Sequence, residues 1–201
     1  MSKTNFNEIL LLSKVFTKTI LENNNPSRKC FTTVYPLSLH LENNGFSNII
    51  TNGFFNQTPH YWLTLNQQRD LIIDPTRKQF YKEEDIVYIG KKSYEYNFSS
   101  DEETQPTLIE DVYEDWIKLF INPDNFSKIE QEVFLEINTK AAIFIHNELI
   151  EKKIDVNKSQ KHLIYFKGIS EMFKNAFDKI KKFECLEGFE CLELKYKNGF
   201  I

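Results

Sequence analysis

Cys30, His60 and Asp74 are the three residues of this chain whose types, order and local settings suit covalent chemistry. Cys30 opens the run Cys-Phe-Thr-Thr-Val-Tyr-Pro-Leu-Ser-Leu-His-Leu, which has helical character and stops at Asn44-Gly45. His60 stands in Pro59-His60-Tyr61-Trp62-Leu63-Thr64-Leu65, an alternation of strand type. Asp74 closes the apolar stretch Leu71-Ile72-Ile73, which ends in the turn Asp74-Pro75-Thr76. A thiol at a helix start, an imidazole on one strand and a carboxylate on the next are the parts of an activated cysteine nucleophile. The base must reach the thiol, and a third group must orient the base. A helix N-terminus presents unpaired N–H groups and a partial positive charge, which favour a thiolate and can hold an oxyanion. Asp74 would bond the far ring nitrogen of His60, fixing its tautomer.

Each residue alone has a plainer explanation. A single Cys behaves as a small core hydrophobe, and Asp-Pro-Thr is a common turn opening. The weight rests on order and context together, and so on the elements that must position the trio. Ile9, Leu12, Val15, Phe16 and Ile20 recur at helical spacing over residues 5 to 22, and Asn23-Asn24-Asn25-Pro26-Ser27 ends that helix. In the next helix Cys30, Val34, Leu37 and Leu41 share one face. Pro36 sits inside it, where a lost hydrogen bond costs about 3 kcal/mol, so a kink or a later start is one expectation there. Phe46 to Phe55 suits a strand broken at Asn52-Gly53, and strands around 60 to 66 and 70 to 74 suit an antiparallel hairpin across Asn66-Gln67-Gln68-Arg69. Ile86 to Ile89 suits one further strand.

Asn97 to Gln105 is a polar, acidic stretch that reads as a linker or long loop. Beyond it the period turns helical. Leu108, Val112, Trp116, Leu119 and Phe120 mark one helix, Ile129 to Leu149 a longer one, and Leu163, Phe166, Ile169, Phe173, Phe177 and Ile180 a third. Ala142 to His146 also fits a buried strand. Near the end Phe-Glu-Cys-Leu-Glu occurs twice, around Gly188, which suits a small hairpin.

Cys30-Phe31 to Leu41, Asn44-Gly45-Phe46, Pro59-His60-Tyr61-Trp62-Leu63 and Ile72-Ile73-Asp74-Pro75-Thr76 to Gln79-Phe80 together resemble the transglutaminase-like branch of the papain-like cysteine enzymes. The likeness is to small bacterial and phage members with a Cys, a His-Tyr-Trp and an Asp-x-Thr-x-x-Gln-Phe signature, and it covers about residues 5 to 96. It implies Cys30 as nucleophile, His60 as base and Asp74 as orienting acid, with Gln79 matching the Gln-Phe element. Proteases, glutamine deamidases and acyl transferases share this family, so the fold does not select among them. Arg28 and Lys29 depart from the small residue expected before the Cys, and no oxyanion side chain stands out beyond Gln57 and Asn25.

Composition narrows the partners. With 201 residues, 41% hydrophobic and 14% aromatic, the chain can build one or two cores. A net charge of -4 gives no basic footprint for nucleic acid. No apolar run approaches the roughly 18 residues of a membrane span, and no signal peptide is evident, so a cytoplasmic location is expected. Three cysteines do not suggest a disulfide framework, and neither they nor the four histidines show metal-ligand spacing, so no metal and no cofactor is expected.

The expectation is therefore an α+β protein. Residues 1–100 form a papain-like, transglutaminase-like domain of helices on an antiparallel sheet, and residues 101–201 a mostly helical C-terminal region. The expected activity is a cysteine-dependent amide hydrolase or acyl transferase. It would act on a protein or peptide substrate through Cys30, His60 and Asp74, and the C-terminal helices are a candidate surface for a protein partner. The alternative is a non-catalytic binding or adaptor protein on the same fold.

Overall fold

The computed structural model describes residues 3–21, 24–27, 29–66, 68–81, 86–98, 127–155 and 159–180. The chain divides into two compact units, Met1–Leu108 and Ile109–Ile201, and the fold is α+β.

The first unit runs α1 (Lys3–Leu21), α2 (Cys30–Asn43), β1 (Asn48–Phe55), β2 (Thr58–Leu65), β3 (Gln68–Asp74), a 3-10 turn at Arg77–Gln79, β4 (Tyr88–Lys91) and β5 (Tyr96–Phe98). The five strands form one antiparallel sheet in the order β4-β3-β2-β1-β5. Helix α1 packs on α2, and α2 packs on β1 and β2.

That layering explains the burial of α2. All residues from Phe31 to Leu41 are buried, polar ones included, because one side meets α1 and another the sheet. The single apolar face expected from Cys30, Val34, Leu37 and Leu41 understates this, since a helix covered on all sides needs no polar stripe. Two of the polar residues within it have visible local partners. His40 stacks on Phe16 of α1 at 5.3 Å. Ser38 Oγ donates to Asn48 Oδ1 at 2.6 Å, and Asn48 Nδ2 returns a bond to the Ser38 carbonyl at 3.1 Å, tying α2 to the start of β1. The helix begins at Cys30 and continues through Pro36 to Asn43, so Pro36 does not move the thiol onto a loop. On α1 the buried face is Ile9, Ser13, Phe16, Thr17 and Ile20, and Val15, expected to be apolar core, is 50% exposed.

Within the sheet, β1 runs unbroken through Gly53, which pairs with His60 on one side and Phe98 on the other. A Cβ at Gly53 would stand 2.2 Å from the Asn97 carbonyl oxygen and 2.6 Å from the Trp62 ring. Glycine is therefore what lets β5 close on β1. The hairpin of β2 and β3 forms as expected, with a register shift at Thr64/Leu65. Strand β4 starts two residues later than the apolar run at Ile86 suggests, and β5 lies partly in the segment expected to be linker.

The second unit contains α3 (Lys128–Lys152) and α4 (Gln160–Ile180). Ser127 caps α3 in a capping box with Glu130, and Lys153 ends it in the left-handed conformation. Ala142 to His146 lies within α3 and is not a strand. Phe134, Ile137, Ala141, Ile145 and Leu149 are buried, whereas Ile129 and Leu163, expected to be core, are exposed. The helix expected over 108–122, the repeat at 183–193 and the side chains of Phe173, Phe177 and Ile180 lie outside what is described.

Candidate active site

Cys30 is the first residue of α2 and is partly exposed. Lys29, the N-cap residue, makes no side-chain capping bond. Its ammonium donates instead to the main-chain carbonyls of Asn25 and Ser27. The N-cap side chain thus does not occupy the main-chain N–H groups of the first turn, the end of a helix that favours an anion.

His60 lies on β2 and is wholly buried. Three rings fix it: Phe80 at 5.2 Å edge-on, Phe55 at 6.0 Å and Trp62 at 6.1 Å. Its Nε2 is 2.7 Å from Asp74 Oδ2, and the Asp74 side chain is likewise fully buried. With Nε2 committed to Asp74, Nδ1 is the nitrogen left for the thiol. Burial is the largest influence on this imidazole and opposes its charge. The charge and hydrogen bond of Asp74, with the hydrogen bond and charge of Cys30, outweigh burial and push His60 up from 6.5 to about 9. At neutral pH the ring is thus an imidazolium between a carboxylate and the sulfur. The Tyr61 phenol is pushed up first by burial and then by the charge of Cys30.

Asp74 is held from both ends. Its Oδ1 accepts from the Thr76 main-chain N–H at 2.9 Å and from Thr76 Oγ1 at 3.2 Å. This is an Asx turn, which the Asp-Pro-Thr sequence encodes locally. Its Oδ2 accepts from Tyr96 Oη at 3.0 Å as well as from His60. The carboxylate is therefore paired and hydrogen-bonded, which a buried charge requires.

Of the residues singled out in the sequence, Cys30, His60 and Asp74 come together. Gln79, carried by its match to the Gln-Phe element, joins them, with Nε2 3.3 Å from His60 Nδ1. The carboxamide can donate to Nδ1 when that nitrogen is unprotonated. Gln57 stays away from this arrangement. It lies exposed in the β1–β2 turn, with φ of 68°. Asn25 accepts from the Ser27 N–H within its own loop. Arg28 lies outside the described residues.

Sequence reasoning missed Tyr96 and the layer behind it. Arg77 lies 3.9 Å over the Tyr88 ring and pairs with Glu95 at 3.3 Å. Glu95 also accepts from Tyr81 Oη and, at 2.9 Å, from Ser93 Oγ. The Tyr81 bond, the largest influence, holds the Glu95 carboxyl below its usual range. Nothing in residue type or period marks a phenol 22 positions after an Asp as its partner. The β4-to-β5 connection creates that contact.

Together these features define an α+β protein with a thiol, an imidazole and a carboxylate in sequence around one ring. Comparison with family models, curated proteins and solved structures finds no match for the chain. No described helix is long and apolar enough to cross a membrane. No group of three or more His, Cys, Asp and Glu suited to a metal ion occurs among the described residues.

Proposed function

We propose that this protein is a cysteine-dependent amide hydrolase or acyl transferase of the transglutaminase-like, papain-like kind. The observation that carries the reading is the buried His60, bonded at 2.7 Å to Asp74 and interacting with the partly exposed Cys30 at the start of α2.

In the proposed reaction the Cys30 thiolate attacks an amide carbonyl carbon, forming the C–S bond and moving the carbonyl electron pair onto oxygen. Main-chain N–H groups at the start of α2 and the Gln79 carboxamide are the donors for that oxyanion. The tetrahedral species collapses, the C–N bond breaks, and the leaving amine takes the proton from His60. A thioester remains. Water or a second amine then loses a proton to His60 and attacks the thioester carbonyl, and the Cys30 thiolate departs. Asp74 keeps the ring oriented through the cycle and stabilises it whenever it carries the second proton. Water as acceptor makes the enzyme a peptidase or deamidase, and an amine makes it a transferase.

The partial exposure of Cys30 favours catalysis over an adaptor role. Phe31 and Tyr35 are buried, whereas Cys30 is partly exposed. The test is to incubate the wild type and Cys30→Ala with a cell lysate and examine its peptides. Shifts of about 1 Da at Gln or Asn, new chain termini or new cross-links, present only with the wild type, name the reaction. Identical peptide sets from both would reject it.

A further inference from the structure

Tyr96 is fully buried, and its phenol donates to Asp74 Oδ2 at 3.0 Å, the same oxygen that takes the His60 Nε2 bond at 2.7 Å. We propose that Tyr96 is a positioning residue of the Cys30 site: its phenol sets how strongly Asp74 holds the proton of His60. This deepens the cysteine-enzyme reading and rests on it for its purpose.

The fold commits much to this one hydroxyl. Strand β5 is three residues long and pairs with β1 through Tyr96 to Phe55, Asn97 to Phe54 and Phe98 to Gly53. It fits against β1 because Gly53 has no side chain to strike the Asn97 carbonyl. The Tyr96 ring is wedged edge-on against Phe55 at 4.8 Å and Trp62 at 5.1 Å, with Tyr88 stacked at 6.3 Å. Phe55 and Trp62 also pack against the His60 ring, so one aromatic cluster orients donor and base together. Burial first, and then the charge of Asp74, push the phenol well above its usual range, so it remains a donor throughout the working pH.

The groups acting on this network come from every packed element. Cys30 comes from α2, and Asp74 ends β3 with Thr76 in the turn after it. Arg77 follows in the 3-10 turn, its guanidinium 5.8 Å from the Tyr96 ring centre, and Tyr88 comes from β4. Among these the phenol is the neutral donor that shares an acceptor oxygen with His60. A carboxylate oxygen that already accepts one bond is a weaker acceptor for a second. Removing the Tyr96 hydroxyl therefore strengthens the pull of Asp74 on His60, and strengthening the phenol as a donor weakens that pull.

The test follows His60 by NMR with 13C at ring carbon ε1 in the full-length protein. Tyr96→Phe should raise the His60 midpoint by roughly half a unit to one unit. Replacing Tyr96 with 3,5-difluorotyrosine, a more acidic phenol of nearly the same shape, should lower it. Opposite shifts from two near-isosteric changes are not what a merely structural role produces. If Tyr96→Phe does not fold, the fluorinated protein alone decides by the direction of its shift. An unmoved midpoint, or a shift of the same sign in both, overturns the proposal. The cysteine-enzyme reading fails separately, if Cys30→Ala leaves every lysate modification in place.

Discussion

The pair His60 and Asp74 sets the energetics of the site. Both side chains are fully buried, so removing one leaves the other as an uncompensated charge. Asp74→Ala should cost about 3–5 kcal/mol in urea unfolding, because Tyr96 and Thr76 lose their acceptor along with His60. The pH dependence follows from the direction of the His60 shift. Its midpoint is raised from 6.5 to about 9 on folding, so the stabilisation is complete below about 6.5 and is lost as pH rises through about 9. The urea midpoint should fall across that window, by about 3 kcal/mol in unfolding free energy, and His60→Ala should flatten the fall. Gln79 can be tested with two electrophiles. Iodoacetamide alkylation forms no oxyanion, whereas p-nitrophenyl acetate does. Gln79→Ala should leave alkylation of Cys30 within about twofold and slow its acylation by about 100-fold. Equal losses in both would assign Gln79 to His60 alone.

Elements determine whether those side chains meet. Helix α2 delivers the thiol, β2 the base and β3 the carboxylate, and this much was legible because each has a strong local signal. The Asn44-Gly45 stop, the alternation from His60 to Leu65 and the Asx turn at Asp74 are short-range features that neighbouring residues specify. The contribution of β5 was not legible. A three-residue strand has no period, and its partner β1 lies about forty residues earlier in the chain. The break expected at Asn52-Gly53 is a close approach instead, since Gly53 is missing a side chain for the sake of β5. Gly53→Ala should therefore destabilise the fold by roughly 1–3 kcal/mol, read as a lower urea midpoint. A variant as stable as the wild type would contradict this account of β5. The exposed Val15 and the all-round burial of α2 teach a related point. Periodicity shows that a helix has an apolar face, while the packing order of α1, α2 and the sheet decides how much of each helix is covered.

At the scale of the whole molecule, every residue assigned to the candidate site belongs to the unit Met1–Leu108. The described hydrogen bonds and charge interactions that join Cys30, His60, Asp74, Gln79 and Tyr96 to one another lie within that unit. A fragment of residues 1–108 should therefore fold, with a cooperative urea transition and a reactive Cys30. An insoluble or unfolded fragment would show that both units share one core. If the fragment keeps its thiol reactivity but leaves the lysate targets of the full chain untouched, residues 109–201 select the substrate. The helical character of α3 and α4 was legible from their long apolar periods, and their exposed Ile129 and Leu163 were not, because the side facing solvent depends on packing that a period does not report.

The central claim is that Cys30 is a nucleophile prepared by His60. Its most direct test is the rate of iodoacetamide labelling at pH 6, resolved by residue with mass spectrometry. The account predicts that Cys30 is alkylated well ahead of Cys185 and Cys191, by about tenfold or more, and that His60→Ala removes this advantage. Equal labelling of the three cysteines in the folded wild type, or an undiminished Cys30 rate in a folded His60→Ala variant, would contradict it.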